Sequence, residues 1–294
     1  MGIENTTDKE GFFRRITRKV WGITGRLFGR SPESPDLHDK IILLDNDELL
    51  LVWEKELREI RIQKEEEAWV YFENEYGSGN PKVTEEFLKW QEKLYEHIEK
   101  EKDRFLKERQ GSKEALDKLL SSGATTIVVT KGAKPYTQKC FNLTGLSPLI
   151  KDIYSPAPGR RDKRFADAAH DYGKKNPWLC FKDTVVVGHD LDKDMAWDLV
   201  PAREGDNDGK APVFVLFDTL AFEKDVDAPL DALPEIIDVL AKKGENNILD
   251  GFKNLYKKQK ASTKNYSFKL ALYHTPKRKD KTRIPVIFDI KRRA

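Results

Sequence analysis

The sequence predicts an α/β protein: a doubly wound, mainly parallel sheet with an inserted helical module and an appended C-terminal β-hairpin. Three observations lead there. Five short apolar runs, each the length of a buried strand, alternate with segments of helical periodicity. A long, strongly charged stretch with helical spacing follows the first run. Two more apolar-rich runs, Tyr266 to Tyr273 and Ile284 to Ile290, flank the basic turn Pro276 to Lys281 and read as a hairpin.

The N-terminal part stands apart from this pattern. From Gly11 to Arg30, Phe12, Phe13, Ile16, Val20, Ile23 and Leu27 recur at helical spacing, with Arg14, Arg15, Arg18, Lys19 and Arg26 on the other flanks. Such a basic amphipathic helix either docks on its own domain or lies on an anionic membrane surface. The opening Met-Gly-Ile-Glu-Asn-Thr fits the N-myristoylation pattern through Gly2 and Thr6. Acidic Glu4, Asp8 and Glu10 argue against a mitochondrial presequence, and the lack of a long apolar region argues against a secretory signal. Ser31 to Asp36, with Pro32 and Pro35, reads as a linker, so residues 1–38 form a basic N-terminal segment and its tether.

The body begins with Lys40 to Leu44, a strand that delivers Asp45, Asn46 and Asp47 at its carboxyl end. Trp53 to Leu120 then reads as mostly helical. Trp69, Phe72 and Tyr76 make one apolar stripe, while Phe87, Trp90, Leu94, Ile98, Phe105 and Leu106 keep roughly helical spacing beyond the turn at Gly77 to Pro81. These aromatics are expected to form the core of the helical module. Ser112 to Leu120 is a helix broken at Gly123, Thr126 to Val129 a strand ending at Thr130, and a further helix covers Pro135 to Leu143. Ile150 to Tyr154 is the third strand, Arg161 to Tyr172 a helix, and Asp183 to Val187 the fourth strand, ending in Gly188-His189-Asp190-Leu191-Asp192-Lys193-Asp194. Val213 to Phe217 makes the fifth strand, and Leu233 to Lys242 a helix with Pro234 in its first turn.

Composition excludes several classes. With 294 residues the chain buries a real core and is no peptide-sized scaffold. Its longest apolar runs fall far short of the roughly 20 residues that a membrane helix needs. Cys140 and Cys180, the two cysteines, are far apart and lack metal-ligand spacing, which excludes a disulfide framework or zinc ribbon and suits a reducing, cytoplasmic compartment. Charge is unevenly spread. Gly251 to Ala294 carries fourteen Lys or Arg against two Asp, a local +12 in a chain of net +3, so the rest is acidic. A tail of this kind can bind phosphates without base specificity, so nucleic acid is a possible partner; the alternative is a merely solubilising tail.

Three strand ends carry the chemistry: Asp45 with Asp47, Thr130, and Asp190 with Asp194. Clefts in parallel α/β sheets form at these ends. Four carboxylates sharing a small volume repel unless a cation neutralises them, and Mg²⁺, held by Asp45, Asp47, Asp190 and Asp194, answers that need. Asp45 can then attack phosphorus and form an aspartyl phosphate. Asp47, two residues on and on the same face of an extended chain, can protonate the leaving oxygen. Thr130 can bind phosphoryl oxygens, and a Lys or Arg near Arg160 to Lys163 can neutralise their charge. Taken singly, each Asp reads first as a helix cap or turn residue.

In this order the motifs resemble those of the haloacid dehalogenase (HAD) superfamily of phosphatases and phosphotransferases. Ile41-Ile42-Leu43-Leu44-Asp45-Asn46-Asp47 is similar to its first motif, a hydrophobic strand followed by Asp-x-Asp. Thr126-Ile127-Val128-Val129-Thr130 is similar to the second, whose hydroxyl would be Thr130. For the basic residue of the third, Arg160, Arg161, Lys163, Lys174 and Lys175 compete, and the resemblance is read as implying Lys163. Val185-Val186-Val187-Gly188 through Asp194 resembles the fourth, but His189 stands where the first Asp is commonly found; a shift of one residue lets Asp190 and Asp194 bind the ion instead. The resemblance implies a HAD-like Rossmannoid core over residues 39–53 and 110–245, a helical cap over 54–109 and a basic extension over 246–294. It implies a Mg²⁺-dependent phosphatase acting on a phosphorylated small molecule or protein, with Trp69, Tyr71 or Trp90 able to contribute to leaving-group selection. Asp47 makes a dehalogenase less apt, because halide leaves without a proton. The rival reading is a non-catalytic binding protein that lost metal affinity at His189 and works through its basic segments on membrane or nucleic acid. His38, His97, His170 and His274 are scattered singly and read as structural or solvent-facing.

Overall fold

In the computed structural model the described residues are 37–38, 40–46, 49–53, 55–100, 106–132, 134–155, 165, 168, 183–189, 212–217, 230–245, 247–274 and 283–293. The predicted basic helix at 11–30 and its linker lie outside them, as does most of the helix predicted from Arg161 to Tyr172. The body is the α/β sheet that the apolar runs predict. In chain order its strands are β1 (Ile41–Asp45), β2 (Leu51–Trp53), β3 (Leu106–Glu108), β4 (Thr125–Val129), β5 (Asp152–Tyr154), β6 (Thr184–Gly188), β7 (Val213–Leu216), β8 (Lys260–Ser262), β9 (Tyr266–His274) and β10 (Arg283–Arg292). Between them run the helices α1 (Lys55–Tyr76), α2 (Pro81–Lys100), α3 (Ser112–Ser121), α4 (Lys134–Thr144), α5 (Ala232–Lys243) and α6 (Ile248–Tyr256).

Eight of these strands form one sheet in the order β5-β4-β1-β6-β7-β10-β9-β8. From β5 to β10 the neighbours pair in parallel, and β9 and β8 close the edge antiparallel. The predicted hairpin is therefore continuous with the main sheet through β10 and β7. Both faces are covered, which explains why the strands read as nearly unbroken apolar runs. Ile42, Leu44, Val128, Val185 and Val187 pack to one side with α3, α4, α5 and α6, while Ile41, Leu43, Ile127, Val129 and Val186 pack to the other with Phe165 and Ala168. At the amino ends, Lys40 is 3% exposed and its Nζ lies 2.8 Å from Asp183 Oδ1, which pins the entry of β1 beside that of β6. The break after α3 is built at Gly123, where φ is +87° and a Cβ would sit 2.6 Å from the His38 ring, so both the backbone and the packing require glycine there.

The charged stretch after β1 is helical, with one correction. Leu106, which the helical spacing includes, instead pairs with Trp53 in a two-stranded antiparallel ribbon of β2 and β3 that brackets the helix pair. Asn80 shapes the turn between the helices. Its Oδ1 accepts from the Lys82 N–H, its Nδ2 donates to the Tyr76 carbonyl, and Pro81 opens α2 where a missing N–H costs nothing. Trp69, Val83 and Phe87 form the pair's own core, with the Trp69 and Phe87 rings edge to face at 5.2 Å and Trp90 stacked on Phe87. No helix among the described residues is long and apolar enough to cross a membrane.

The C-terminal hairpin carries a charge-stabilised kink. Asp289 has φ +51° at the register shift of β10, and its carboxylate meets the ammonium groups of Lys269 and Lys291. Lys269 first and Lys291 second hold this carboxyl below its usual range. A group with a depressed folded pKa stabilises above its unfolded value, about 3.9, and that contribution fades as pH falls through the folded value. Asn also accepts the left-handed backbone, so Asp289→Asn removes the charge alone. We expect the variant to melt below the wild type at pH 7, with the gap closing by about pH 3 or below. An equal gap at both pH values would remove the ion pairs from the account.

Candidate active site

The carboxyl ends of β4, β1 and β6 meet side by side. Asp45 stands opposite Val129 of β4, and the β1–β6 register runs from Ile41↔Thr184 to Leu44↔Val187. Thr130 and His189 thus each leave the sheet one position beyond the residue that faces Asp45. The chain also reverses direction of winding at β1, since β4 and β5 extend the sheet to one side and β6 and β7 to the other. Crevices of open α/β sheets lie at such a point.

Asp45 is only 5% exposed, and a buried carboxylate needs partners to offset lost hydration. The Asn46 N–H donates to its Oδ1 at 2.7 Å, and His189 Nδ1 stands 3.0 Å from its Oδ2. The Asn46 carbonyl in turn accepts from the N–H groups of Leu50 and Leu51, which folds the chain sharply into β2. By strand alternation Asp45 shares the face of Ile41 and Leu43, the face on which Phe165 is buried. Of the predicted set, Asp47, Lys163, Asp190 and Asp194 lie outside the described residues, as do Arg160, Arg161, Lys174 and Lys175.

Thr130 is buried as well. Its N–H donates to the Tyr154 carbonyl, and its Oγ1 accepts from the Gly132 N–H at 3.0 Å. That acceptance leaves the hydroxyl proton free to be donated elsewhere. A Cβ on Gly132 would come within 3.4 Å of Thr130 Oγ1 and 3.3 Å of Thr137 Oγ1, so the backbone after β4 runs close to both hydroxyls.

His189, the departure from the fourth motif, reaches Asp45, a contact that no pattern in the sequence reveals. Arg109 carries no motif signal at all. It is 3% exposed, its N–H donates to the Leu50 carbonyl, and its guanidinium lies 5.4 Å from the centre of the Phe217 ring. Phe217 follows β7 and donates its N–H to the Gly188 carbonyl, so Arg109 sits at the same end of the sheet as the site. Trp69 and Trp90 are used in the packing of the helix pair, whereas Tyr71 is 62% exposed.

Among the described residues no group of three or more His, Cys, Asp or Glu side chains is placed to hold a metal ion. The donors that do meet are one carboxylate oxygen, from Asp45, and one imidazole nitrogen, from His189. Mg²⁺ seeks an all-oxygen shell, and this pair does not fit one.

No family model and no curated protein matches the sequence. Solved structures similar to the chain include a predicted phosphoglycolate phosphatase from Haemophilus somnus, at 14% identity and TM-score 0.40, covering 67% of this chain and 97% of that one. A haloacid dehalogenase-like hydrolase from Xanthomonas campestris is 14% identical with TM-score 0.38, covering 70% and 96%. The putative HAD-hydrolase YfnB from Bacillus subtilis, solved bound to magnesium, is 15% identical with TM-score 0.39, covering 61% and 89%.

Proposed function

We propose that this protein is a HAD-type phosphatase that hydrolyses a phosphate monoester through an aspartyl phosphate on Asp45. One observation carries the reading: a buried aspartate ends the strand at the winding reversal, with a hydroxyl and an imidazole leaving the sheet on either side of it. The motif order resembles the same chemistry.

In this mechanism the Asp45 carboxylate attacks phosphorus, and the bond from phosphorus to the ester oxygen breaks. Asp47 gives its proton to the departing oxygen, then takes one from the water that cleaves the acyl phosphate and restores Asp45. Thr130, its oxygen already accepting from Gly132, donates its own proton to a phosphoryl oxygen. Lys163 neutralises phosphoryl charge from the segment just before Phe165, a residue packed on the Asp45 face. A divalent cation belongs to the reading, with Asp190 and Asp194 beside Asp45 and Asp47 as the donors that the resemblance implies. Mg²⁺ is the ion implied for that all-carboxylate set, and the imidazole beside Asp45 departs from it. Helices α1 and α2 act as a cap that sheds water from the crevice.

The acid role of Asp47 has a selective signature, because a good leaving group needs little protonation. Asp47→Asn should slow hydrolysis of an alkyl phosphate by roughly 10²–10⁴-fold and that of p-nitrophenyl phosphate much less. Equal losses on the two substrates would exclude Asp47 as the acid.

A further inference from the structure

We propose that the outer face of the C-terminal strands β8, β9 and β10 is a docking surface for a single strand of nucleic acid, held through its phosphates without base specificity. The surface lies at the β8 edge of the sheet, and the proposal goes beyond the phosphatase reading without depending on it.

Cross-strand register sets which side chains share this face. Lys260 of β8 stands directly opposite Lys269 of β9, and Ser262 stands opposite Ser267. Lys269 and Ser267 in turn stand opposite Phe288 and Lys291 of β10. Residues two apart on a strand also share a face, so all six point the same way. The reverse face, with Tyr266, Phe268 and Leu270, is sealed into the main core. Toward β7 the outer face is buried as well, at Ile284 and Val286. Past the half-buried Phe288 it opens to solvent. Lys260 and Ser262 are exposed, and the side chains of Lys269 and Lys291 are 45% and 64% exposed.

The charge on this face is unbalanced. Two lysines directly opposite each other repel, a cost that a bound anion offsets. Asp289 meets Lys269 and Lys291, but among the described residues no ion pair answers Lys260. Three ammonium groups thus face one carboxylate. Lys257 and Lys258 just before β8 and Lys264 just after it are exposed too.

The chemistry of the face selects among polyanions. Lysine and serine hold phosphate oxygens and position a nucleic acid without reading its bases. A membrane surface would also take apolar side chains that insert among the lipids. The large exposed apolar residues among those described, Ile60, Ile62, Val70, Tyr71 and Leu120, all lie outside these strands. Charge complementarity therefore favours a phosphodiester backbone over a lipid surface. Phe288, in register with Lys269, sets a ring beside the ammonium groups, the combination of stacking surface and cation that single strands use.

The test uses the full chain and a labelled oligouridine, with binding followed by fluorescence anisotropy over a range of salt. Affinity should fall with salt, and replacing both Lys260→Ala and Lys291→Ala should weaken binding several-fold and flatten the logarithmic salt slope by about 1.4, roughly 0.7 for each lost phosphate contact. Asp289→Asn should do the opposite and tighten binding, because it frees two ammonium groups although it lowers the melting temperature. A merely damaged fold would not bind more tightly. Unchanged affinity and slope in the double variant would overturn the proposal and leave Lys260 as a guard of the open sheet edge. So would an Asp289→Asn variant that binds no tighter, or a wild type that binds no oligouridine at low salt. Co-sedimentation with phosphatidylserine vesicles, lost in the double variant and without oligouridine binding, would assign the face to lipid and overturn the proposal as well.

Discussion

Asp45→Asn is expected to abolish phosphatase turnover, by roughly 10⁴-fold or more, while leaving the fold intact. The amide is nearly the same size and still accepts the Asn46 N–H through its oxygen, so the bond at 2.7 Å survives. It also sits at the end of β1 with the same partners in β4, which keeps the local register. What it loses is nucleophilicity, since an amide cannot form the acyl phosphate. Thermal melting close to the wild type together with full loss of p-nitrophenyl phosphate hydrolysis is the expected pair of results. Retained turnover in a folded variant would remove Asp45 from the chemistry.

The largest structural effect is expected at Gly251→Ala. A Cβ on Gly251 would lie 1.8 Å from the Leu240 carbonyl oxygen and 2.9 Å from the Leu240 Cα, which is backbone that cannot rotate away. Helices α5 and α6 must therefore separate to admit one methyl group. They bury Leu233, Ile236, Ile237 and Leu240 against Ile248, Leu249, Phe252 and Leu255 in the main core. Overpacking of this kind costs about 3 kcal/mol, more when only backbone can yield. Denaturant unfolding should place the variant that far below the wild type, and a loss under about 1 kcal/mol would show that the helices can slide apart freely.

Much of the strand framework was legible because the apolar runs are short, rich in Val and Ile, and bounded by turn residues. Thr126 to Val129 and Val213 to Phe217 fall within a residue of strands β4 and β7. The ribbon of β2 and β3 was not legible, because three residues such as Leu51, Val52 and Trp53 have no periodicity of their own and pair only once the chain folds back. Helix α6 was hidden by the charge count: Ile248, Phe252 and Leu255 have helical spacing, but the region reads as the start of a basic extension. The nearness of His189 to Asp45 depends on β1 lying next to β6, and strand order is a tertiary property that motif order does not determine. The predicted strand-end placement of Asp45 and Thr130 could be read directly, because each ends an apolar run.

The central claim, a phospho-enzyme on Asp45, has a direct chemical test. The wild type is mixed with p-nitrophenyl phosphate, quenched in acid and reduced with borohydride, which converts an aspartyl phosphate to homoserine. Peptide mass spectrometry should then find homoserine at position 45, at a level that falls to zero in Asp45→Asn. Turnover of the substrate with unmodified Asp45 in every quenched sample, or homoserine at another position, would contradict the account.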